Sequence, residues 1–262
     1  MTGGALLFAE KSSAVWGGEK ASQDEYTSVV AIRGDMDCSA VVIAPRALLT
    51  AAHCVEGWRP GKSLIEVGLR SVKTSADFVT VALEKAPVLH PAYRLGFRNN
   101  PNQNTLEVQY DLAVLVLKED LKEKFPRASV AMISTYLSSQ NGVLVGFGRY
   151  DRRNPYGVKA FGEMQTRYLS RFNLIELQSV KAGVGGCRGD SGGGFFQTLS
   201  NGTSVLVGIT SVNTQSHNCG SSENKTYAVP VYSHICWVTA QARLNQPQFC
   251  HQRGKSVTSL TK

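Results

Sequence analysis

Three residues far apart in the chain could together perform nucleophilic chemistry: His53 in LLTAAHC, Asp111 in YDLAVLVL and Ser191 in GGCRGDSGGGFF. A serine hydroxyl is a weak nucleophile until a general base takes its proton, and the base must itself be oriented by a third group. The oxyanion formed on attack also needs hydrogen-bond donors. Glycines beside Ser191 leave the amides of Gly189 and Ser191 open to a substrate carbonyl. Taken singly, each residue has a plainer reading. Ser191 is a small residue in a glycine turn, His53 a satisfied core histidine and Asp111 a strand cap. Their order points elsewhere, because His, Asp, Ser is one of the chain orders of a serine triad. A carboxylate opening the apolar run DLAVLVL is also costly unless hydrogen-bonded. His90, His217, His234 and His251 stand in loop, polar or helical contexts and read as structural.

The elements that must position these residues are short and β-rich. Runs of β type span 28–32, 40–43, 47–50, 79–83, 112–117, 143–145, 205–210 and 226–232, separated by Gly, Pro and Asn clusters. Many short strands with turn signals argue for an all-β sandwich or barrel. One helix is expected, over 234–244, with Ile235, Val238 and Ala242 near helical spacing and Pro247 as its stop. Residues 97–105 (FRNNPNQNT) are loop chemistry.

The 262 residues suit one large all-β domain or two moderate ones. Hydrophobic content of 42% excludes a disordered chain, and no apolar run is long enough to span a membrane. Net charge is +8, but the basic residues are scattered, so nucleic-acid binding is not expected. Six cysteines without CxxC or CxxH spacing fit disulfides better than zinc, and disulfides imply an oxidising, secreted or periplasmic location. Residues 1–14 make a poor signal peptide and read as a propeptide or export remnant.

The chain resembles the trypsin/chymotrypsin family of serine proteases. The resemblance rests on Val15-Trp16-Gly17-Gly18, CSAVVIAPRALLTAAHC (38–54), HPAY (90–93), YDLAVLVL (110–117), VGFGR (145–149), CRGDSGG (187–193), VGITS (207–211) and VYSHICWV (231–238), all in family order. It implies an all-β fold of two six-stranded antiparallel β-barrels packed together with a C-terminal α-helix. The barrels would fall at about 15–125 and 126–232. A helix and disulfide-stapled tail would occupy 233–250, and a flexible basic tail 251–262. It also implies that Ser191 attacks the scissile carbonyl, that His53 relays the proton, and that Asp111, supported by Ser211, holds the imidazole. Gly189 and Ser191 would form the oxyanion hole. The pairings implied are Cys38–Cys54, Cys187–Cys219 and Cys236–Cys250. A new N-terminus at Val15 would pair with Asp190, so a form retaining residues 1–14 is expected to be a zymogen. Trp16 departs from the small aliphatic residue usual there.

The substrate pocket departs further. Gly185 stands where tryptic members carry an acid, followed by Gly186, so no fixed charge selects Lys or Arg. Asn213 and Pro230 are aligned with wall glycines and would narrow the mouth, favouring a small or medium uncharged P1 residue. The two glycines leave the base roomy, which keeps a larger apolar P1 open. Arg188 falls at the rim. The Asn-rich loop before Asp111 is longer than usual, and Leu69 to Lys73 is basic where a calcium loop would be acidic. No metal or cofactor is expected. The expected partners are protein or peptide substrates, an activating protease and protein inhibitors, with the protein itself a monomer. The alternative is an inactive pseudoprotease acting as a binding module. Asn201 and Asn224 stand in glycosylation sequons.

Overall fold

A computed structural model describes residues 15–33, 36–58, 64–72, 74–96, 107–134, 138, 140–149, 151 and 156–244. Its strands are β1 (Glu19–Lys20), β2 (Val29–Arg33), β3 (Asp37–Ala44), β4 (Ala47–Thr50), β5 (Leu64–Gly68), β6 (Val79–Ala82), β7 (Val88–Leu89), β8 (Arg94–Gly96), β9 (Glu107–Gln109) and β10 (Ala113–Val116) in the first half. A one-turn helix α1 (Leu121–Lys124) leads to β11 (Gly142–Gly146), β12 (Ala160–Leu169), β13 (Leu174–Ser179), β14 (Gly194–Thr198), β15 (Ser204–Asn213), β16 (Thr226–Pro230) and helix α2 (Ile235–Gln241).

The first sheet runs β6-β5-β2-β3-β4-β10-β7. It closes where Leu83 bridges Leu117, with Glu84 N donating to Val116 O at 2.8 Å and Lys118 N to Ala82 O at 2.9 Å. The second runs β1-β12-β11-β14-β15-β16-β13 and closes through β12–β13. Each is a six-strand barrel, with β7 and β1 as additions.

The uninterrupted apolar runs are explained by burial on both faces. Along β2, Val30 and Ile32 fill the first barrel, while Val29 and Ala31 face the shared core between barrels. β10 alternates likewise, with Ala113 and Leu115 inward and Val114 and Val116 outward. The second barrel supplies Val145, Phe147, Ile209 and Val229 to that shared core and keeps Leu144, Ile175, Phe195 and Val207 for its own interior. Strands alternate sides every residue, so two buried faces require an apolar residue at nearly every position.

Two boundaries differ from expectation. Val15 packs in the interior of the second barrel and β1 pairs with β12, so the first residues of the expected N-terminal barrel join the other one. Helix α2 is shorter than 234–244. A 3-10 turn (Tyr232–His234) precedes it, and Arg243 at φ +55 ends it, with Leu244 N donating back to Thr239 O at 2.9 Å. This left-handed C-cap stops the helix before Pro247 is reached. Cys38–Cys54 and Cys187–Cys219 are disulfides. Cys236 lies on α2, while Cys250, residues 1–14, the Asn-rich loop at 97–105 and the tail at 251–262 fall outside the described residues. Among the described residues, no helix is long and apolar enough to cross a membrane.

Candidate active site

The cleft between the barrels holds a cavity of about 490 Å³ lined by His53 and Ser191. His53 sits in a 3-10 turn (Ala52–Cys54) directly after β4, and the Cys38–Cys54 disulfide ties that turn to β3. Asp111 lies just before β10, after Tyr110 at φ +58, a backbone angle that turns the chain into the strand. Its carboxylate is buried and fully engaged. Oδ2 lies 2.7 Å from His53 Nδ1 and accepts from Ser211 Oγ at 2.6 Å, while Oδ1 accepts from the His53 backbone N–H at 2.9 Å.

Burial opposes both charges, lowering the His53 pKa and raising that of Asp111. The hydrogen bond and charge each offers the other prevail. His53 ends above its ordinary 6.5 and Asp111 below its ordinary 3.8, the latter helped by Ser211 and the His53 amide. With Nδ1 donating to Asp111, the neutral ring presents Nε2 as an acceptor. Ser191 Oγ lines the same cavity and donates to Ser211 O at 3.0 Å. No hydrogen bond joins it to His53.

The loop around Ser191 is held from behind. Arg188 O accepts from Arg149 N at 2.6 Å, Gly189 O from Ser39 Oγ at 2.9 Å, and Ser191 O from Ser39 N at 2.8 Å. Among the described residues, the Gly189 and Ser191 amides donate to no protein acceptor, so they are available to an oxygen in the cleft. Gly189 is required as glycine, at φ +92 and with the Tyr156 ring 2.7 Å from where a Cβ would stand. Ser39 is fully buried and reaches across from the first barrel, and its Oγ also accepts from Phe147 N at 2.9 Å. It lies within the segment 38–54, but nothing in that segment marks it for a contact with the second barrel. Its only signal in the sequence is a hydroxyl inside the apolar run of β3.

Asp190 points away from the cleft. It is buried and accepts backbone N–H bonds from Gly148 and Cys187, both at 2.8 Å, and from Val15. Burial pushes its pKa up to about 7 despite those bonds. Trp16 follows Val15 and forms a bridge with Gly185, whose N–H donates to Trp16 O at 2.9 Å.

The two glycines before Cys187 do not open empty space. Space under the two glycines is filled by side chains: a Cβ on Gly185 would lie 2.6 Å from Asn224 Nδ2, and one on Gly186 would lie 2.5 Å from Thr226 Oγ1. Asn224 Nδ2 donates to Gly186 O at 3.0 Å and to Cys219 O at 2.8 Å. That buried amide is unavailable to a glycosyl donor in the folded chain. Asn213 Nδ2 crosses from the opposite wall to the same Gly186 O at 2.7 Å. Gly186, Arg188, Ser211 and Asn213 line the cavity, but Gly185 and Pro230 do not. Pro230 ends β16, buried and paired with Gly208, and it is Thr226 at the start of that strand that lines the cavity.

Comparison with known proteins agrees with this architecture. The Trypsin family model matches residues 15–238. Chymotrypsin-2 of Vespa crabro is 25% identical over 85% of this chain and 97% of its own length. Chymotrypsin-like elastase family member 1 of Bos taurus is 25% identical over 88% of this chain and 90% of its own. The atrial natriuretic peptide-converting enzyme of Mus musculus is 28% identical over 66% of this chain. That match spans only 16% of the relative, and the human counterpart is spanned over 17%. Two closed antiparallel barrels, a cleft between them and a match along most of the chain lead to one assignment: the chain belongs to the trypsin family of serine endopeptidases.

Proposed function

We propose that this endopeptidase works through Ser191, His53 and Asp111 as nucleophile, general base and orienting acid. The observation that carries the reading is the Asp111 carboxylate, which bonds His53 Nδ1 at 2.7 Å and so leaves Nε2 as the acceptor of a ring that lines the same cavity as Ser191. On substrate binding, Ser191 Oγ gives up its bond to Ser211 O and turns to Nε2. Catalytic hydrogen bonds often tighten only in the complex. His53 takes the proton as Oγ attacks the carbonyl carbon, the Gly189 and Ser191 amides stabilise the oxyanion, and the imidazolium protonates the leaving amine. Water then attacks the acyl-enzyme by the same relay.

Three finer readings accompany it. The Asn213, Asn224 and Thr226 side chains leave the pocket suited to a small uncharged P1 residue. Residues 15–250 act as the peptidase unit, activated when cleavage before Val15 turns its neutral amide into an ammonium facing Asp190. The two disulfides fit an oxidising compartment, and the enzyme is secreted as a monomer, activated by another protease and open to protein inhibitors. The Ser191 hydroxyl turned toward Ser211 O favours a second reading, a binding module without turnover.

A fluorophosphonate probe separates the two. Protein beginning at Val15 should be labelled at Ser191, and Ser191→Ala should abolish the label. A Val15-terminated protein that resists labelling would sink the enzyme mechanism in favour of the binding module.

A further inference from the structure

The hairpin joining β14 and β15 turns at Asn201-Gly202-Thr203, one of the two Asn-x-Ser/Thr triplets in the chain with no proline in the middle. The turn is tight. Gly202 N donates to Leu199 O at 2.9 Å, Leu199 N to Thr203 O at 2.8 Å, and Thr203 N to Asn201 Oδ1 at 3.0 Å. Gly202 takes φ +83, with no atom within 4 Å of where a Cβ would stand. Asn201 and Gly202 are exposed. The Asn201 carboxamide is thus held by its oxygen, while Nδ2 donates to nothing among the described residues and keeps both hydrogens free.

The other triplet, Asn224-Lys225-Thr226, is the opposite case. Asn224 is buried, its Nδ2 gives one hydrogen to Gly186 O and one to Cys219 O, and its Oδ1 accepts from Gln215 N at 3.2 Å. A sugar on Nδ2 replaces one of those hydrogens, so a buried carbonyl would lose its donor. It would also force a bulky, water-seeking group into a packed wall. The two triplets differ in place as well. β15 runs from Ser204, beside the Asn201 turn, to Ser211 and Asn213 in the cavity wall. At the rise of a strand those ends are on the order of 20 Å apart. A glycan on Asn201 would therefore stand at the end of the second barrel away from the cleft.

We propose that Asn201 is an N-glycosylation site and that Asn224, despite its matching triplet, carries no sugar in the folded protein. The proposal rests on the export reading above, since such triplets are modified in secreted chains. The donor is an oligosaccharide linked through pyrophosphate to a lipid, handled by the transferase of the exporting cell. Asn201 Nδ2 attacks the anomeric carbon of the first sugar, the bond from that carbon to the pyrophosphate oxygen breaks, the pyrophosphoryl lipid leaves, and Nδ2 gives up one proton. Oδ1 keeps its bond from Thr203 N, so the turn accepts the product without rearranging.

The test expresses the full chain behind an added export signal in cultured animal cells and maps the secreted protein by mass spectrometry. Most molecules should carry a single N-linked glycan, and the peptide containing Asn201 should hold it. Peptide N-glycosidase should remove it and leave an aspartate in its place. Asn201→Gln and Thr203→Ala should each abolish the mass shift, while Thr203→Ser, which preserves the triplet, should retain it. The peptide containing Asn224 should be unmodified in every case. Secreted protein with Cys38–Cys54 and Cys187–Cys219 formed but no sugar at Asn201 would overturn the proposal and leave the export reading intact. A glycan at Asn224 in that disulfide-bonded protein would overturn the contrast between the two triplets. Recovery with those four cysteines reduced would overturn the export reading and the proposal with it.

Discussion

Asp111 and Asp190 are both fully buried, yet their pKa values move in opposite directions. Each carboxylate accepts three hydrogen bonds. Asp111 takes its bonds from the His53 ring, the His53 amide and Ser211, and it stays below its ordinary 3.8. Asp190 takes all three from backbone amides and rises to about 7. The number of hydrogen bonds is therefore not what decides. Asp111 faces a ring that can itself become a cation, whereas Asp190 faces only neutral dipoles, which do not offset the loss of water. Among the described residues, Asp111 faces a group that can become its countercharge and Asp190 faces none. Under the activation proposed above, cleavage before Val15 would supply one.

The largest effect that could break this comparison is expected at Asp111. Asp111→Asn keeps the shape but removes the acceptor that holds the His53 tautomer. It should lower kcat by roughly 10⁴-fold, as such changes do in serine triads. Turnover of a small-P1 peptide measures it, and a loss below tenfold would mean that the carboxylate does not orient a working base. Asp190→Asn should come next. In protein starting at Val15 it removes one partner of a buried ion pair, which costs about 3–5 kcal/mol, or roughly a hundredfold to several thousandfold in the active population. In uncleaved protein the same change meets only amides and should cost far less. Equal losses in both forms would show that the Val15 ammonium does not pair with Asp190.

These two acids also mark how far the sequence alone could be read. Asp111, His53 and Ser191 were visible because each sits in a local context that recurs in the family, and the aligned segments lie mostly on strands buried on both sides. The strands without such context were not visible. β12 is mostly polar and half-exposed along its last residues, so it shows no apolar run, and β14 opens with Gly194, directly after the nucleophile motif. The pocket was misread for a different reason. Gly185 and Gly186 look like empty space in a sequence, but they are glycines because Asn224 and Thr226, forty residues on, occupy that space. No local pattern announces which distant side chain fills the volume a glycine vacates. Ser39 is the same kind of case, a contact across the two barrels that its own segment does not announce.

Lys159 sharpens the comparison by reversing the charge. It is buried, its ammonium donates to Tyr26 O at 3.1 Å and lies 5.3 Å from the centre of the Phe147 ring, and no carboxylate pairs with it among the described residues. Burial lowers its pKa from 10.5 to about 7. A folded-state value below the unfolded one means that the unfolded chain binds the extra proton between those limits. Stability should therefore rise with pH from about 7 toward 10.5. Lys159→Met should be more stable than the parent by a few kcal/mol at pH 6, and the gain should fade toward pH 10. Denaturant melts at the two pH values measure it. A pH-independent difference would show that Lys159 is not charged and buried at the lower pH.

The smallest effect is a shift in one titration, and it tests the comparison most directly. A general base must be neutral, so activity should rise with pH through the His53 pKa. Because Asp111 holds that pKa above 6.5, the acid limb of kcat/KM should have its midpoint above 6.5. Burial alone lowers the pKa of His53. In Asp111→Asn the ring should then titrate below the parent value, which an NMR titration of the His53 ring protons reads without requiring turnover. Asp190→Asn should leave that titration where it was, since Asp190 is not among the groups that shift His53. If both variants moved the His53 titration equally, the two carboxylates would act through a common change in the loop, and the contrast between a charged partner and a neutral one would fail.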